Sequence, residues 1–138
     1  MSQLNNWDVT YSAISWVENA LGGHAKVATF VRVDDIRFEI VREGRLSPVN
    51  ALLMNRYVIG VADLVEAMTE FPGINCIFAP GNWCGYTRQA KEYGLEQGVA
   101  VFHVGEFMGA LWKADFVKYA AKDHKGNPTY AYKSAPPD

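Results

Sequence analysis

The feature that most constrains the fold is the stretch of residues 59–111, in which helical and strand patterns alternate. Apolar residues recur at helical spacing over residues 58–71, and a Pro-Gly pair ends that pattern. A continuous apolar run follows at residues 74–79, and a second lies at residues 99–104. Such runs are typical of strands that helices cover on both faces. The short connections predict right-handed crossovers, and therefore parallel neighbouring strands.

The start of the chain predicts one helix followed by a β-hairpin. A helical pattern covers residues 5–21, and a Gly-Gly pair at its end can terminate the helix. Apolar and polar residues then alternate over residues 26–33 and again over residues 36–41, as they do in strands. Asp34 and Asp35 lie between the two runs and suit a tight turn.

The remaining segments predict further helices and one ambiguous connection. Residues 49–57 fit a strand, a helical turn or a loop over the core. A helix is predicted over residues 86–97, with Thr87 as its N-cap and Gly98 as the glycine that ends it. A final amphipathic helix is predicted over residues 105–122.

Length and charge set the class of the protein. The 138 residues predict one domain over residues 1–122, with residues 123–138 as a C-terminal tail or edge strand. The formal net charge of −2 argues against a dedicated nucleic-acid binder, whose affinity rests on many Lys and Arg contacts with phosphates. This net charge does not exclude a basic face on one part of the surface.

The cysteines and the N-terminal segment bear on location. Cys76 lies inside an apolar run and Cys84 in the loop after it, so we expect two free thiols, with Cys84 the candidate for exposure. The first residues are polar and lack the apolar core of a signal peptide. No apolar run approaches the roughly 20 residues of a membrane span. We therefore expect a cytoplasmic protein with no membrane association.

The order of predicted elements is helix, hairpin, helix, strand, helix, strand, helix. This order predicts an α/β fold with a three-layer mixed sheet, in which the N-terminal helix and β-hairpin precede a parallel βαβ unit with helices on both faces. The pattern over residues 36–111 resembles the restriction-endonuclease-like, or PD-(D/E)XK, fold and within it the Mrr-like branch. The resemblance rests on a helix, an apolar strand, a glycine-containing loop with its helix, and a second apolar strand, at residues 58–68, 74–79, 85–93 and 98–102.

The resemblance implies a metal-dependent catalytic site on the hairpin. In that family two acids hold a divalent ion, here Mg²⁺, and a lysine helps to activate the attacking water. Asp35 and Glu39 match the acids, and Glu18 on the first helix could join them as a ligand. Val41 stands where the family has lysine. Arg37 could supply the charge, but a guanidinium does not shed a proton as an ammonium can.

Two functions follow from this resemblance. The first is a nuclease-fold accessory protein with a degenerate active site, which acts by binding DNA or a partner protein, in the style of small proteins of mobile elements. The second is an active Mg²⁺-dependent DNA endonuclease that uses Asp35, Glu39 and Arg37.

The loop after the first apolar strand suggests a third function. It lies at the carboxyl end of a parallel strand, where open α/β sheets place ligand sites. Asn82, Trp83 and Tyr86 could stack on a base or bind a partner protein there. The alternative is that Trp83 folds back onto the sheet edge. An interaction module without any nucleic-acid role is therefore also open, and a homodimer is compatible with the sequence.

Overall fold

The computed structural model describes residues 5–134. The described chain contains four α-helices and nine strands, most of them short. The helices are α1 (Tyr11–Gly22), α2 (Val61–Glu70), α3 (Arg88–Gln97) and α4 (Val104–Ala110). The strands are β1 (Val27–Val33), β2 (Arg37–Arg42), β3 (Val49–Leu53), β4 (Val58–Ile59), β5 (Cys76–Ala79), β6 (Gly85–Tyr86), β7 (Ala100–His103), β8 (Ala121–Lys122) and β9 (Pro128–Thr129).

Five strands form the main sheet, in the order β1-β2-β3-β5-β7. The first three are antiparallel neighbours, whereas β3, β5 and β7 run parallel. The prediction of a mixed α/β fold is confirmed. The first five residues of the ambiguous segment after the hairpin form strand β3, which lies at the centre of the sheet and has little exposure to solvent.

Helices contact the two faces of the parallel part of the sheet. Neighbouring residues of a strand point to opposite faces. On one face Phe107 of α4 stacks on Phe78 of β5, with ring centroids 4.0 Å apart. On the other face α3 crosses β7 at Gly94, where a Cβ would overlap the Val99 carbonyl and contact Val101. Gly94 is therefore required for this close approach.

Local signals in the sequence set several element ends. Asp34 and Asp35 adopt φ values of 54° and 65°, a left-handed conformation that aspartate tolerates, and they form the predicted turn of the β1–β2 hairpin. Thr87 caps α3 by accepting a hydrogen bond from the Ala90 N–H at 3.0 Å. Gly98 ends α3 with φ 74°. All three predictions are confirmed.

The first helix begins six residues later than predicted, at Tyr11 instead of at residue 5. Asp8 has φ 60°, which interrupts a helix, and the Thr10 side chain caps α1 by accepting from the Ala13 N–H at 3.2 Å. Trp7 therefore lies outside the helix but is still buried, and its Nε1–H donates to Glu70 at 3.0 Å. The apolar pattern predicted the burial of Trp7, Ile14, Val17 and Leu21 correctly, but it was wrong for Tyr11, which is exposed, and for the start of the helix.

The last predicted helix is also wrong in its extent. It ends at Ala110, and a 3-10 turn at Phe116–Lys118 and strand β8 follow. The reason is the buried guanidinium of Arg42, which donates to the Leu111 carbonyl at 3.1 Å and to the Lys113 carbonyl at 2.7 Å. These two carbonyls lie just beyond Ala110, and Arg42 supplies the donors that a continued helix would have supplied to them.

The C-terminal segment extends the small sheet formed by β4 and β6. The Tyr86 N–H donates to the Ala131 carbonyl at 3.0 Å, and the Lys133 N–H donates to the Tyr86 carbonyl at 2.9 Å. Residues 135–138 of the predicted tail lie outside the described residues. Within residues 5–134, none of the helices combines the length and the apolar character needed to cross a membrane.

We expect Arg42→Ala to lower the free energy of unfolding by roughly 3 kcal/mol, because several buried carbonyl contacts would lose their charged donor. Urea denaturation measures the change. Arg45→Ala removes the same charge from an exposed position and should change stability by less than about 0.5 kcal/mol. Equal effects of the two substitutions would contradict the role given to Arg42.

Candidate functional site

The predicted catalytic and metal-binding residues lie in two ion-pair groups, each centred on an arginine. Arg32 contacts Glu18 at 3.0 Å and Asp35 at 3.4 Å. Arg37 contacts Glu39 at 2.7 Å. Arg37 also reaches Asp34 at 3.5 Å and donates to Asn50 Oδ1 at 3.1 Å.

The two groups lie on opposite faces of the hairpin. Val31 is the register partner of Glu39, so those two side chains share a face, and Arg32 next along the strand points to the other. Asp35 and Glu18 contact Arg32, and so the structure does not bring them together with Glu39. Among residues 5–134 no group of three or more His, Cys, Asp or Glu side chains is placed to hold a metal ion. The three carboxylates do not fit as ligands of a single Mg²⁺ in this structure, and a role for Mg²⁺ stays a prediction.

A groove with two exposed indoles lies at the carboxyl edge of the parallel strands. We call it the tryptophan groove. Its volume is about 410 Å³. It is lined by Thr10, Ser12, Ala13, Trp16, Asn55, Pro80, Gly81, Asn82, Trp83 and Val104. Asn55 lies just beyond β3, Pro80 follows β5 and Val104 follows β7, so each parallel strand leads into the groove.

The loop that carries Trp83 is fixed in place by the surrounding backbone. Asn82 Oδ1 accepts a hydrogen bond from the Gly105 N–H at 2.9 Å, which ties the loop to the start of α4. The Gly85 N–H donates to the Tyr57 carbonyl at 2.9 Å on the other side. The Trp83 indole lies over Gly81, where a Cβ would overlap the ring, and it is still 71% exposed. A rigid aromatic side chain held in this way loses little entropy on binding.

Trp16 forms the opposite wall of the groove, and sequence reasoning missed it. It is 53% exposed on α1, whereas Ile14, Val17 and Leu21 form the buried side of that helix. A tryptophan off the apolar side of an amphipathic helix was the available signal, because tryptophan is enriched among the residues that supply most of the energy of protein interfaces.

Tyr86 does not present its ring at the surface, which corrects the expectation for this residue. It is fully buried. Its hydroxyl donates to Glu106 Oε2 at 2.8 Å and accepts from the Ala131 N–H at 3.1 Å. The ring is enclosed because the C-terminal segment pairs with β6 and places Tyr132 edge-on against it, with centroids 5.8 Å apart. Cys84 is buried as well.

A buried lysine and a buried glutamate lie beside Tyr86, at the outer edge of β7. Lys91 Nζ donates to the Val101 carbonyl at 2.8 Å and lies 4.4 Å from the centroid of the Phe102 ring. Burial lowers the pKa of Lys91 to about 8, and the nearby charge of Glu106 acts in the opposite direction. Burial, followed by the Glu106 charge, raises the pKa of Tyr86. Both residues are enclosed, so this cluster closes the sheet edge and is not a surface site.

His103 links this cluster to the start of α4. The Glu106 N–H donates to His103 Nδ1 at 3.2 Å, and the His103 N–H donates to Glu106 Oε1 at 3.0 Å. This reciprocal arrangement is a capping box with histidine in the capping position. It holds α4, and with it the wall of the tryptophan groove, in place.

Comparisons with protein-family models, with curated proteins and with solved structures find no match to this chain.

The lowered pKa of Lys91 predicts a rise in stability at alkaline pH. Between about pH 8 and about pH 10.5 the unfolded chain holds a proton on this lysine that the folded chain has lost. The free energy of unfolding should therefore gain roughly 3 kcal/mol from this group as pH rises through that window. Below pH 8 the amine is charged in both the folded and the unfolded chain, and the free energy of unfolding is lowered by the full cost of burying this charge. Urea denaturation at several pH values, compared between the wild type and Lys91→Met, isolates this contribution.

Lys118→Met is the matched control, because Lys118 is exposed. The free energy of unfolding of this variant should change with pH in the same way as that of the wild-type protein. A profile that Lys91→Met leaves unchanged would show that Lys91 does not titrate in this window.

Proposed function

We propose that this chain is a nuclease-fold accessory protein that lacks a working catalytic centre and acts by binding a partner protein. The observation that carries the proposal is the pair of exposed indoles, Trp16 and Trp83, on one groove at the carboxyl edge of the parallel strands. Tryptophan is enriched among the residues that supply most of the energy of protein interfaces. The proposal places this activity in the cytoplasm, where the free thiols of Cys76 and Cys84 would persist.

The order of strands supports the scaffold part of the proposal. The predicted order of helix, hairpin, helix, strand, helix, strand and helix corresponds to α1, the β1–β2 hairpin, α2, β5, α3, β7 and α4, with β3 as an additional strand between the hairpin and α2. The hairpin supports the loss of catalysis. Val41 replaces the expected lysine, and Glu39 and Asp35 pair with different arginines on opposite faces.

The charge of the groove favours a protein over DNA as the partner. None of its ten lining residues carries a charged side chain, so it offers no cation to a phosphate. Sequence-independent DNA binding depends on such contacts. The side-chain N–H groups of Asn82, the side-chain oxygen of Asn55 and the Ser12 hydroxyl can instead pair with a peptide backbone beside the two indoles.

Alanine substitutions in the groove test the proposal. The partner is first recovered from a host extract with the wild-type protein and identified, and binding of the purified pair is then measured by calorimetry. We expect Trp83→Ala to weaken this binding about 30-fold or more, and Trp16→Ala to weaken it clearly, because both remove an indole from the contact. Trp112 is 51% exposed and lies outside the groove, so Trp112→Ala serves as the matched control. Wild-type affinity in Trp83→Ala would refute the groove as the binding site.

A DNA assay separates this function from the endonuclease. We expect supercoiled plasmid to remain intact with the protein and Mg²⁺ or Mn²⁺, because the catalytic groups do not form one site. Cleavage that disappears in Glu39→Gln would establish the nuclease instead. Salt-sensitive DNA binding without cleavage would make DNA the partner.

A further inference from the structure

The tryptophan groove combines two large indoles with small neighbouring residues. Ala13 lines it on the same helix as Trp16, and Gly81 lines it in the same loop as Trp83. The Trp83 ring packs on Gly81 and is still largely exposed. Small neighbours beside exposed rings leave room for a slim chain that packs flat on the indoles.

The polar side chains of the groove offer more donors than acceptors. In the part of the chain that the structure describes, the indole N–H groups of Trp16 and Trp83 make no hydrogen bond. Asn82 Oδ1 is occupied by a backbone N–H of α4, so this amide keeps only its two N–H bonds for a ligand. Asn55 is bonded in the opposite sense, since its Nδ2 donates to a backbone carbonyl and its Oδ1 remains as an acceptor. A ligand with several acceptors and few donors therefore complements the groove.

The volume of the groove disfavours a helical segment as that ligand. One turn of an α-helix is about 10 Å wide and about 5.4 Å long, so a single turn would fill roughly the whole volume of about 410 Å³. A helix that docks in a groove is held by apolar side chains from successive turns. The tryptophan groove has room for only one of those turns.

A β-strand is disfavoured because the groove offers no strand edge. It lies beyond the ends of β3, β5 and β7, and residues of α1 and of the Trp83 loop form its walls. A strand that binds by addition to a sheet pairs its N–H groups with carbonyls along an edge. In this groove those N–H groups would meet the donors of the two indoles and of Asn82. Each buried N–H left unpaired costs about 1–3 kcal/mol.

We propose that the partner presents a proline-rich segment in the polyproline II conformation to the tryptophan groove, an inference that rests on the proposed function. Proline has no N–H, so the segment offers carbonyl acceptors without backbone donors. These carbonyls complement the N–H groups of Trp16, Trp83 and Asn82. The segment is also extended before it binds, so it loses little entropy, and aromatic-lined grooves are the usual sites for such chains.

A peptide of ten prolines, capped at both ends, tests this inference by isothermal titration calorimetry. We expect it to bind the wild-type protein with a Kd below about 500 µM. A capped peptide of five Gly-Ser repeats has the same length but carries N–H donors and no rings, and its Kd should be at least about tenfold higher. Equal affinity for the two peptides would overturn the proposal, as would no binding of decaproline.

Three variants locate the contact. Trp83→Ala should raise the Kd for decaproline about tenfold or more. Trp83→Phe keeps a ring and removes only the indole N–H, so it should raise the Kd roughly threefold to tenfold. Trp112→Ala, outside the groove, should bind like the wild-type protein. Decaproline binding that Trp83→Ala leaves unchanged would overturn the proposal, and full affinity in Trp83→Phe would overturn the role of the indole donor.

Competition separates this inference from the proposed function. Decaproline should displace the identified partner from the wild-type protein. A partner that Trp83→Ala releases but decaproline does not displace would overturn the proline-rich ligand and leave the proposed function standing. A partner whose minimal binding segment contains no proline has the same consequence. A partner that binds Trp83→Ala with wild-type affinity would instead refute the proposed function.

Discussion

The sheet depends on the junction between β3 and β5, where antiparallel pairing changes to parallel pairing. The Asn50 N–H donates to Asn75 Oδ1 at 2.8 Å, and the Asn75 N–H donates back to the Asn50 carbonyl at 2.9 Å. Asn50 Nδ2 also donates to the Gly73 carbonyl at 3.2 Å. The two asparagines fix the register near the start of both strands, because any shift would leave these groups unpaired.

This register decides where a binding site can form. Since β3, β5 and β7 run parallel, the segments that follow them meet at one edge, and there the loop from Pro80 to Trp83 lies across from Trp16. The loop is held by the contact between Asn82 and Gly105, and α4 is held by the capping box of His103 and Glu106. The groove is therefore formed by the ends of rigid elements, which is the usual location of binding sites in α/β sheets.

Local signals made part of this structure predictable. The Asp34-Asp35 turn, the Thr87 cap and the terminating Gly98 depend on contacts within a few residues, and the sequence carries them directly. The end of α4 could not be predicted in the same way, because Arg42, 69 residues before Leu111, takes the carbonyls that would have continued the helix. The candidate site was predicted in part. Asn82 and Trp83 line the groove, whereas Trp16 was missed and Tyr86 is buried.

The sequence by itself determined the mixed α/β fold, because apolar periodicity and glycine or proline punctuation are properties of neighbouring residues. Only the tertiary structure decided which polar and aromatic side chains face solvent. It paired Glu39 with Arg37 and Asp35 with Arg32, and it enclosed Lys91 and Tyr86. The hairpin ion pairs join residues close in the chain and depend on the turn that Asp34 and Asp35 form, whereas Tyr86 is enclosed by contacts with distant residues such as Ala131. Both outcomes depend on how the elements are arranged in space. The position of Trp83 depends on tertiary contacts too, because its loop is bonded to Gly105 and to Tyr57, which lie far from it in the chain.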